Sequence, residues 1–314
     1  MTSSLHFESD IATAVLPPRC PLCSGQSQLC FEKYGYAIQA CDRCGHRFLD
    51  TAELSRLHSG QAHAPQNHID RVYGDSYFHG GGAGYPNYLA EGKLLRRHGR
   101  RYARLMRRYM EPGQVLDVGA AAGFILQGLT DDGWQGEGTE PNEAMADYGR
   151  SQLQLSIHTG PLEQLKLTRR YDLVTMIQVV AHFYQLRQAF DVAAQATKPG
   201  GYWLIETWNR ESWTARLLGA GWHEYSPPSV IHWFSPKDLS QLARAYGFEL
   251  VAQGRPKKFI NGAHAKSLLG AKLRENAWSR PFARLLGLVP DGLELPYPAE
   301  DLFWVLYRKA ESSA

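Results

Sequence analysis

The feature that most restricts the fold of this chain is the placement of its cysteines. All five cysteines of the 314-residue chain lie between residues 20 and 44. Four of them form two Cys-x-x-Cys pairs, Cys20 with Cys23 and Cys41 with Cys44, separated by seventeen residues. This spacing is typical of a zinc ribbon, in which two tight turns present four thiolates to one ion. Because the rest of the chain has no cysteine, a disulfide framework for the whole protein is excluded.

The same four cysteines predict a structural metal rather than a catalytic one. Four protein thiolates complete a tetrahedral shell and leave no coordination position open to water or substrate. A region of about 40 residues also buries too little apolar surface to fold without such support. We therefore expect Zn²⁺ on Cys20, Cys23, Cys41 and Cys44, with two unmetallated dithiol pairs as the alternative. Cys30 is expected to be a small buried hydrophobic residue.

Composition and charge exclude several protein classes. A hydrophobic fraction of 44% and a charged fraction of 21% are ordinary for a globular domain, which excludes global disorder. No stretch approaches the ~20 apolar residues of a membrane-spanning helix. The first residues lack a basic segment followed by an apolar one, so we expect no secretory signal and a cytoplasmic protein. A net charge of +3 is too small to indicate nucleic-acid binding by itself.

After residue 110, short apolar segments alternate with helical ones. Predicted strands are Val115–Gly119, Gly136–Glu140, Leu155–His158, Leu173–Val179 and Tyr202–Thr207, and predicted helices are Phe124–Asp132, Glu143–Leu153 and Leu186–Thr197. Such alternation predicts an α/β fold with a mainly parallel sheet covered on both faces. Ligands of such sheets bind beyond the carboxyl ends of the strands. Two late strands, Glu249–Ala252 and Phe303–Tyr307, are predicted to close the sheet as an antiparallel pair.

The first predicted strand ends in a glycine-rich turn, QVLDVGAAAGF at residues 114–124. Gly119 and Gly123 allow a tight turn and close approach of the backbone to a ligand. Ala121 and Phe124 occupy the second and third glycine positions of the dinucleotide fingerprint, which argues against NAD. No G-K-[ST] follows, so a nucleoside-triphosphate P-loop is excluded.

An acidic residue ends the second predicted strand. Glu140 lies twenty-three residues after Asp117, where a carboxylate can accept both hydroxyl hydrogens of a ribose. Together with the glycine turn, this placement predicts a cofactor that contains a nucleoside and lacks a diphosphate.

At these residues the chain resembles the class I S-adenosylmethionine-dependent methyltransferases. The similarity covers roughly residues 70 to 255 and continues through HTGPLEQL (158–165), YDLVTMIQVVAHF (171–183), KPGGYWLIE (198–206) and HWFSPKDLSQLARAYGF (232–248). The resemblance implies a Rossmann-like, seven-stranded methyltransferase sheet preceded by a small zinc-ribbon domain. It also implies S-adenosylmethionine as the cofactor and methyl transfer as the activity. Many bacterial methyltransferases of this kind modify sugars, surface glycans or small metabolites.

The resemblance implies a role for each residue of the cofactor site. Glu140 would bind the ribose hydroxyls, Leu162 would lie beside the adenine, and Gln178 would line the methyl-transfer mouth. The methionyl and ribose portions would be surrounded by Asp117, Gly119, Ala121 and Gly123. One departure concerns the residues after the fourth strand, where the family often has Glu-His and this chain has Ala181 and His182.

Methyl transfer to a hydroxyl or an enolisable carbon requires a general base, besides an acceptor held in line with the reactive methyl group. His182 is the first candidate because it follows the strand whose end faces the cofactor, and histidine titrates near neutrality. The second candidates are His223, Glu224 and Tyr225 in GWHEYSPPS. A structural role for each of these side chains is the alternative.

Three further segments bear on the acceptor, and each has a structural alternative. The stretch 96–108 contains seven arginines, which fit either an anionic partner or a solvated helix face. Residues 77–82, with Tyr77, His79 and three glycines, fit either a flap over the cofactor or a linker. The third feature is a group of tryptophans that fit either aromatic stacking on an acceptor or packing in the core: Trp203, Trp208, Trp213, Trp222 and Trp233.

The sequence thus predicts three regions: a zinc-ribbon region at 1–60, a linker or flap with a basic helix at 61–110, and the methyltransferase domain at 111–314 with a late insertion at 255–300. The leading function is O- or C-methylation of a sugar, glycan precursor or other small metabolite, including nucleotide-linked or carrier-linked acceptors. The alternatives are an RNA methyltransferase that holds phosphates through the ribbon and the arginine helix, and a non-catalytic zinc-containing interaction protein. The oligomeric state is left open.

Overall fold

The computed structural model of the chain describes residues 17–57, 64–74, 78, 87–262, 266, 290, 292–297 and 299–311. The strands are β1 (Ser27–Lys33), β2 (Tyr36–Cys41), β3 (Arg47–Leu49), β4 (Gln114–Val118), β5 (Gln135–Glu140), β6 (Ser156–Thr159), β7 (Tyr171–Ile177), β8 (Thr197–Trp208), β9 (His232–Trp233), β10 (Phe248–Gly254), β11 (Lys258–Asn261), β12 (Glu294–Tyr297) and β13 (Leu302–Lys309). The helices are α1 (Thr51–Leu57), α2 (Ala64–Val72), α3 (Gly92–Met106), α4 (Phe124–Thr130), α5 (Glu143–Leu153), α6 (Leu186–Ala196), α7 (Trp213–Leu218) and α8 (Pro236–Ala245).

Within these described ranges, seven strands form one mixed sheet in the order β10-β13-β8-β7-β4-β5-β6. The strands from β8 to β6 are parallel, whereas β13 is antiparallel to both β8 and β10. The seven-stranded α/β sheet expected from the sequence is therefore confirmed, including the late antiparallel pair. The order of the strands along the chain reverses at β4, which pairs with β5 on one side and β7 on the other. Such a reversal opens a crevice at the carboxyl ends of the strands.

The central strands β4, β7 and β8 form around buried apolar side chains. Leu116 on β4, Val174 on β7 and Trp203 on β8 are completely buried, as expected for a parallel sheet with helices on both faces. On one face α3 packs closely against α4, and two glycines make this approach possible. A Cβ atom on Gly99 would lie 2.2 Å from the Ile125 carbonyl oxygen, and one on Gly128 would lie 2.1 Å from the Arg96 carbonyl oxygen.

The N-terminal strands form a second, antiparallel sheet of the order β1-β2-β3-β9. Its fourth strand comes from residues 232–233, far along the chain, where Phe48 pairs with His232. The contact to the large sheet is reinforced by the guanidinium of Arg187, which donates to the Leu22 carbonyl oxygen at 2.6 Å. The small sheet is thereby joined to the segment that follows β8.

The tryptophans between residues 203 and 233 divide between core and surface. Trp203 stacks on Phe248 with ring centroids 3.6 Å apart, and Trp222 and Trp233 are also buried. Trp213 is 77% exposed. The core alternative therefore holds for three of them: Trp203 packs against Phe190 and Phe248, and Trp222 and Trp233 pack in a cluster with apolar residues of the small sheet.

None of the described helices is both long enough and apolar enough to cross a membrane. The ends of the late insertion pair as the antiparallel strands β11 and β12. Most of the insertion between them, and the glycine segment with Tyr77 and His79, lie outside the described residues.

Candidate functional site

A cavity of about 190 Å³ opens at the carboxyl ends of the parallel strands, where the strand order reverses. Asp117 is the penultimate residue of β4, Glu140 ends β5 and Gln178 follows β7, and all three line this cavity. Of the other predicted site residues, the lining includes Gly119, Ala121, Leu162 and His182. The fold thus brings together at one cavity residues that are up to 65 positions apart in the chain. We call this cavity the central cavity.

The turn after β4 has the backbone conformations that its glycines permit. Gly119 has a φ of 68°, and a Cβ atom there would lie 2.6 Å from Cγ2 of Val179. Gly123 has a φ of 86° and is the N-cap of α4, so it shapes the turn without lining the cavity. Ala121 and Gln178 have φ values of 48° and 58°, which side-chain-bearing residues rarely adopt. Such strain at cavity-lining residues is common at functional sites.

Glu140 is a buried carboxylate held by two backbone N–H groups. Its Oε2 atom accepts a hydrogen bond from the Ala121 N–H at 2.9 Å, and its Oε1 atom accepts one from the Asn142 N–H at 2.8 Å. Burial raises the pKa of Glu140 to about 7, and the nearby charge of Asp117 acts in the same direction. Since a carboxylate oxygen can accept two hydrogen bonds, each oxygen keeps acceptor capacity for a ligand hydroxyl.

Asp117 is the second buried carboxylate of the central cavity. Its Oδ1 atom accepts a hydrogen bond from the Thr175 hydroxyl at 2.6 Å, whereas its buried Oδ2 atom has no partner among the described residues. Burial raises the pKa of Asp117 to about 7. A buried oxygen without a partner is costly unless a ligand supplies one. The buried carboxylates of Asp117 and Glu140, together with the apolar side chain of Leu162, therefore fit a positively charged nucleoside cofactor.

His182 also lines the central cavity and lies in a short 3-10 helix formed by Val180–His182. Its Nδ1 atom is 2.6 Å from the Ser229 carbonyl oxygen. A carbonyl oxygen only accepts hydrogen bonds, so Nδ1 carries the proton and Nε2 carries the lone pair of the neutral ring. Burial lowers the pKa of His182, which keeps the ring neutral at pH 7. Tyr73, whose hydroxyl also donates to the Ser229 carbonyl oxygen, lines the cavity beside it.

The structure adds a buried group that the sequence analysis missed. Glu206, near the end of β8, accepts a hydrogen bond from the Tyr102 hydroxyl at 2.6 Å and one from the Gln178 side-chain amide at 3.0 Å. Burial and the Glu206 carboxylate raise the pKa of Tyr102 well above its ordinary value. Glu206 ends the KPGGYWLIE segment, so its place at a strand terminus was a signal that the sequence offered.

The second candidates for a base lie elsewhere. None of His223, Glu224 and Tyr225 lines the central cavity. The Nε2 atom of His223 is 3.4 Å from a Glu224 carboxylate oxygen, and burial raises the pKa of Glu224 to about 8. Tyr225 is buried and accepts a hydrogen bond from Arg47 of the small sheet. Tyr225 therefore lies in the junction between the two sheets. A catalytic role for His223, Glu224 and Tyr225 stays a sequence prediction.

The four paired cysteines form a compact cluster at one end of the small sheet. The sulfur atoms of Cys20, Cys23, Cys41 and Cys44 all lie within 4.8 Å of one another, and three of the distances are 3.5–3.6 Å. Tetrahedral ligation with Zn–S bonds of about 2.3 Å places sulfur atoms about 3.8 Å apart, so the cluster fits zinc. Cys30 is only half-buried and is not part of the cluster.

Comparison with known proteins assigns the family. The family model described as "Methyltransferase domain" matches residues 92–253, which is more than half of the chain. The chain therefore belongs to this methyltransferase family, and the resemblance found in the sequence is confirmed.

Among curated proteins, the chain is similar to ubiquinone biosynthesis O-methyltransferases. The one from Azoarcus sp. (strain BH72) is 27% identical over 157 residues, covering 44% of this chain and 65% of that protein. The one from Coxiella burnetii (strain Dugway 5J108-111) is 27% identical over 154 residues, covering 44% and 64%. The match thus spans slightly less than two thirds of the length of these relatives.

Solved structures with a similar fold include a putative methyltransferase from Bacillus halodurans. It is 16% identical, covers 67% of this chain and 98% of its own, and has a TM-score of 0.49. The magnesium protoporphyrin IX methyltransferase from Synechocystis is 13% identical, covers 83% and 99%, and has a TM-score of 0.47.

Proposed function

We propose that this chain transfers the methyl group of S-adenosylmethionine to an oxygen or carbon atom of a small molecule. The observation that carries the proposal is the central cavity, whose lining combines the buried carboxylates of Asp117 and Glu140 with His182 and Glu206. Membership of the methyltransferase family supports the reaction class. The similarity to proteins named as O-methyltransferases of ubiquinone biosynthesis supports a small-molecule hydroxyl as the acceptor.

The cofactor would occupy the side of the central cavity formed by β4 and β5. Glu140 would accept the ribose hydroxyl hydrogens, because its two oxygens are already oriented by backbone N–H groups. The unpaired Oδ2 atom of Asp117 would receive a polar or positively charged group of the cofactor. When bound, S-adenosylmethionine supplies a methyl group activated by a positively charged sulfur.

The acceptor would lie between the cofactor side and His182. The Nε2 atom of His182 would take the proton of the acceptor hydroxyl, while the Nδ1–H group continues to donate a hydrogen bond to the Ser229 carbonyl oxygen. Glu206, fixed by Tyr102 and Gln178, would accept a second hydrogen bond from the acceptor and hold its orientation. Gln178 would thus act at the methyl-transfer mouth by holding Glu206.

The test uses the full chain loaded with zinc. S-adenosylmethionine binding is measured by calorimetry, and transfer of a tritiated methyl group is followed into a small-molecule extract and, separately, into RNA. We expect binding, and label in the small-molecule fraction. Label that enters only RNA would contradict the small-molecule acceptor, and absence of cofactor binding would contradict the enzyme and favour the non-catalytic interaction protein.

His182→Gln tests the base. Loss of a general base typically costs about 10²- to 10⁴-fold in rate, so we expect a kcat lower by that factor and an unchanged affinity for S-adenosylmethionine. The matched control is His158→Gln, since His158 pairs with Glu137 on β5 and lies away from the central cavity. A His182→Gln variant that keeps the wild-type kcat would exclude this residue as the base.

For the N-terminal sheet we propose a structural zinc ion on the four paired cysteines. The sheet supports the active-site wall, because β3 pairs with β9 and the Leu49 N–H donates to the Ile231 carbonyl oxygen at 2.9 Å. Ser229, whose carbonyl oxygen binds His182, is two residues before Ile231. The zinc site would therefore help to hold the wall that orients His182.

A further inference from the structure

The face of α3 nearest the central cavity has a second cavity beside it. This cavity, of about 400 Å³, lies between α3 and the connection from β10 to β11. It shares His98, Tyr102, Glu206 and Lys258 with the central cavity as common walls. A ligand in the second cavity would therefore extend towards the residues that we place around the acceptor.

The second cavity has a strongly cationic lining. Its basic residues are Arg101, Arg104, Arg108, Arg255, Lys257 and Lys258, and its carboxylate is Glu206, within the part of the chain that the structure describes. We call these six residues the cationic groove. Arg101, Arg104 and Arg108 are spaced three and four positions apart. They therefore lie together on one face of α3 and of the turn after it.

The other arginines of the 96–108 stretch have partners outside the second cavity. Arg96 and Arg100 bind Asp131, with nitrogen–oxygen distances of 2.6 Å and 2.8 Å. Arg107 donates to the Asp132 carbonyl oxygen at 2.8 Å, and Arg97 pairs with Glu294. The helix therefore separates its charges, with paired arginines outside the second cavity and a different set inside it.

One groove arginine, Arg255, lies 3.6 Å from a Glu300 carboxylate oxygen, whereas the groove arginines of the 101–108 stretch make no ion pair among the described residues. Among the described residues, Arg104 and Arg108 make no ion pair and are exposed, and Arg101 donates to the Lys257 carbonyl oxygen at 3.0 Å. The pKa of Arg101 is lowered by burial and by the charges of Arg97 and Arg104. Groups of like charge held together in this way repel one another unless an anion binds between them.

A buried and unsatisfied side chain lies where the two cavities meet. His98 is 7% exposed, and its Nε2 atom has no hydrogen-bond partner among the described residues. Burial, followed by the charges of Lys258, Arg101 and Arg97, lowers the pKa of His98 to about 3. The neutral ring offers one more polar contact to a ligand that crosses from the groove to the central cavity.

We propose that the cationic groove binds a phosphate ester and that the methyl acceptor carries this phosphate at one end. This inference rests on the proposed function, because it places the acceptor's reactive end in the central cavity. Arginine forks and lysine ammonium groups are the side chains that bind phosphate oxygens most strongly. A cavity of this size is also within the range of small-molecule sites, whereas RNA binding typically uses a basic stripe that continues over the surface.

The test measures binding of inorganic pyrophosphate, uridine diphosphate, coenzyme A and a short single-stranded RNA to the full chain by calorimetry. It is made with S-adenosylhomocysteine present, and cofactor binding is measured first. Pyrophosphate binding supports the proposal, and tighter binding of uridine diphosphate or coenzyme A identifies a nucleotide or a pantetheine source for the phosphate. If the cofactor binds and none of the three phosphate compounds does, this inference is overturned while the proposed function stands.

Arg104→Gln/Arg108→Gln is the diagnostic variant, and Arg96→Gln/Arg107→Gln is the control with the same change of charge on the same helix. Charge-assisted hydrogen bonds contribute strongly to the binding of phosphate groups. We therefore expect the affinity for pyrophosphate to fall about tenfold or more in the first variant and less than about twofold in the control. Cofactor affinity should be unchanged in both. Equal losses in the two variants, or RNA binding that is tighter than pyrophosphate binding and falls steeply with salt, would contradict the proposal.

Discussion

The two ends of the connected cavities have opposite charges. The cofactor side of the central cavity presents the buried carboxylates of Asp117 and Glu140, whereas the cationic groove presents six basic side chains. The carboxylates are fixed by backbone and hydroxyl donors, while Arg104 and Arg108 extend from a helix surface. One end thus fits a cationic nucleoside and the other an anionic group.

This difference in charge explains how the two connected cavities could bind two different ligands at separate places before methyl transfer. A positively charged sulfonium is attracted to the acidic end and repelled from the groove, and the reverse holds for a phosphate. His182 and Glu206 also line the central cavity, where the methyl group would be transferred. Four predictions test this comparison, beginning with the largest effect expected on cofactor binding.

Glu140→Gln removes charge from the acidic end. Hydrogen bonds to a charged group contribute about 1.5–3 kcal/mol, so we expect the affinity for S-adenosylmethionine to fall about 100-fold. Glu137→Gln on the same strand is the control, because Glu137 binds Tyr171 and His158 and does not line the central cavity. Calorimetry measures the affinities, and thermal denaturation checks that both variants fold. An unchanged affinity in Glu140→Gln would remove the ribose assignment.

The acidic end should also make cofactor binding depend on pH. Since burial raises the pKa of both Asp117 and Glu140 to about 7, the carboxylates are protonated at pH 6 and ionised at pH 8. The ionised form attracts the cofactor, so we expect the affinity for S-adenosylmethionine to fall about tenfold from pH 8 to pH 6. The reverse trend, or none, would show that the carboxylates do not face the cofactor.

The same pKa values fix the sign of the stability change without cofactor. They lie above the ordinary values of 3.8 and 4.5, so between these values and about 7 the folded chain binds more protons than the unfolded chain. The contribution of the two groups to the free energy of unfolding is therefore largest in acid and declines as the pH rises towards 7. Denaturation at several pH values, compared between the wild type and Glu140→Gln, measures the part of this contribution that comes from Glu140.

Cys41→Ser should have the smallest effect on cofactor binding. We expect the variant to lose bound zinc and the first strands to become sensitive to protease, since the proposed structural zinc ion would stabilise the small sheet. The affinity for S-adenosylmethionine should change less than about twofold, because Asp117 and Glu140 belong to the large sheet. Cys30→Ser, outside the cluster, should keep its metal. Retention of zinc by Cys41→Ser would contradict four-cysteine ligation.

Much of the fold followed from local sequence patterns. Apolar runs predicted the central parts of β4, β7 and β8, because a strand buried on both faces requires such runs. The Cys-x-x-Cys pairs predicted the cysteine cluster, since two short turns bring four sulfur atoms together without distant contacts. The glycine turn and Glu140 were visible because a cofactor site of this kind uses residues at consecutive strand ends.

Only the tertiary structure decided which distant residues meet. It placed Glu206 against Tyr102 and Gln178, and it divided the arginines of α3 between acidic partners and the cationic groove. It also paired β9, from residues the sequence assigned to the methyltransferase region, with the N-terminal sheet. These contacts depend on helix rotation and on the packing of segments far apart in the chain, which local periodicity does not encode.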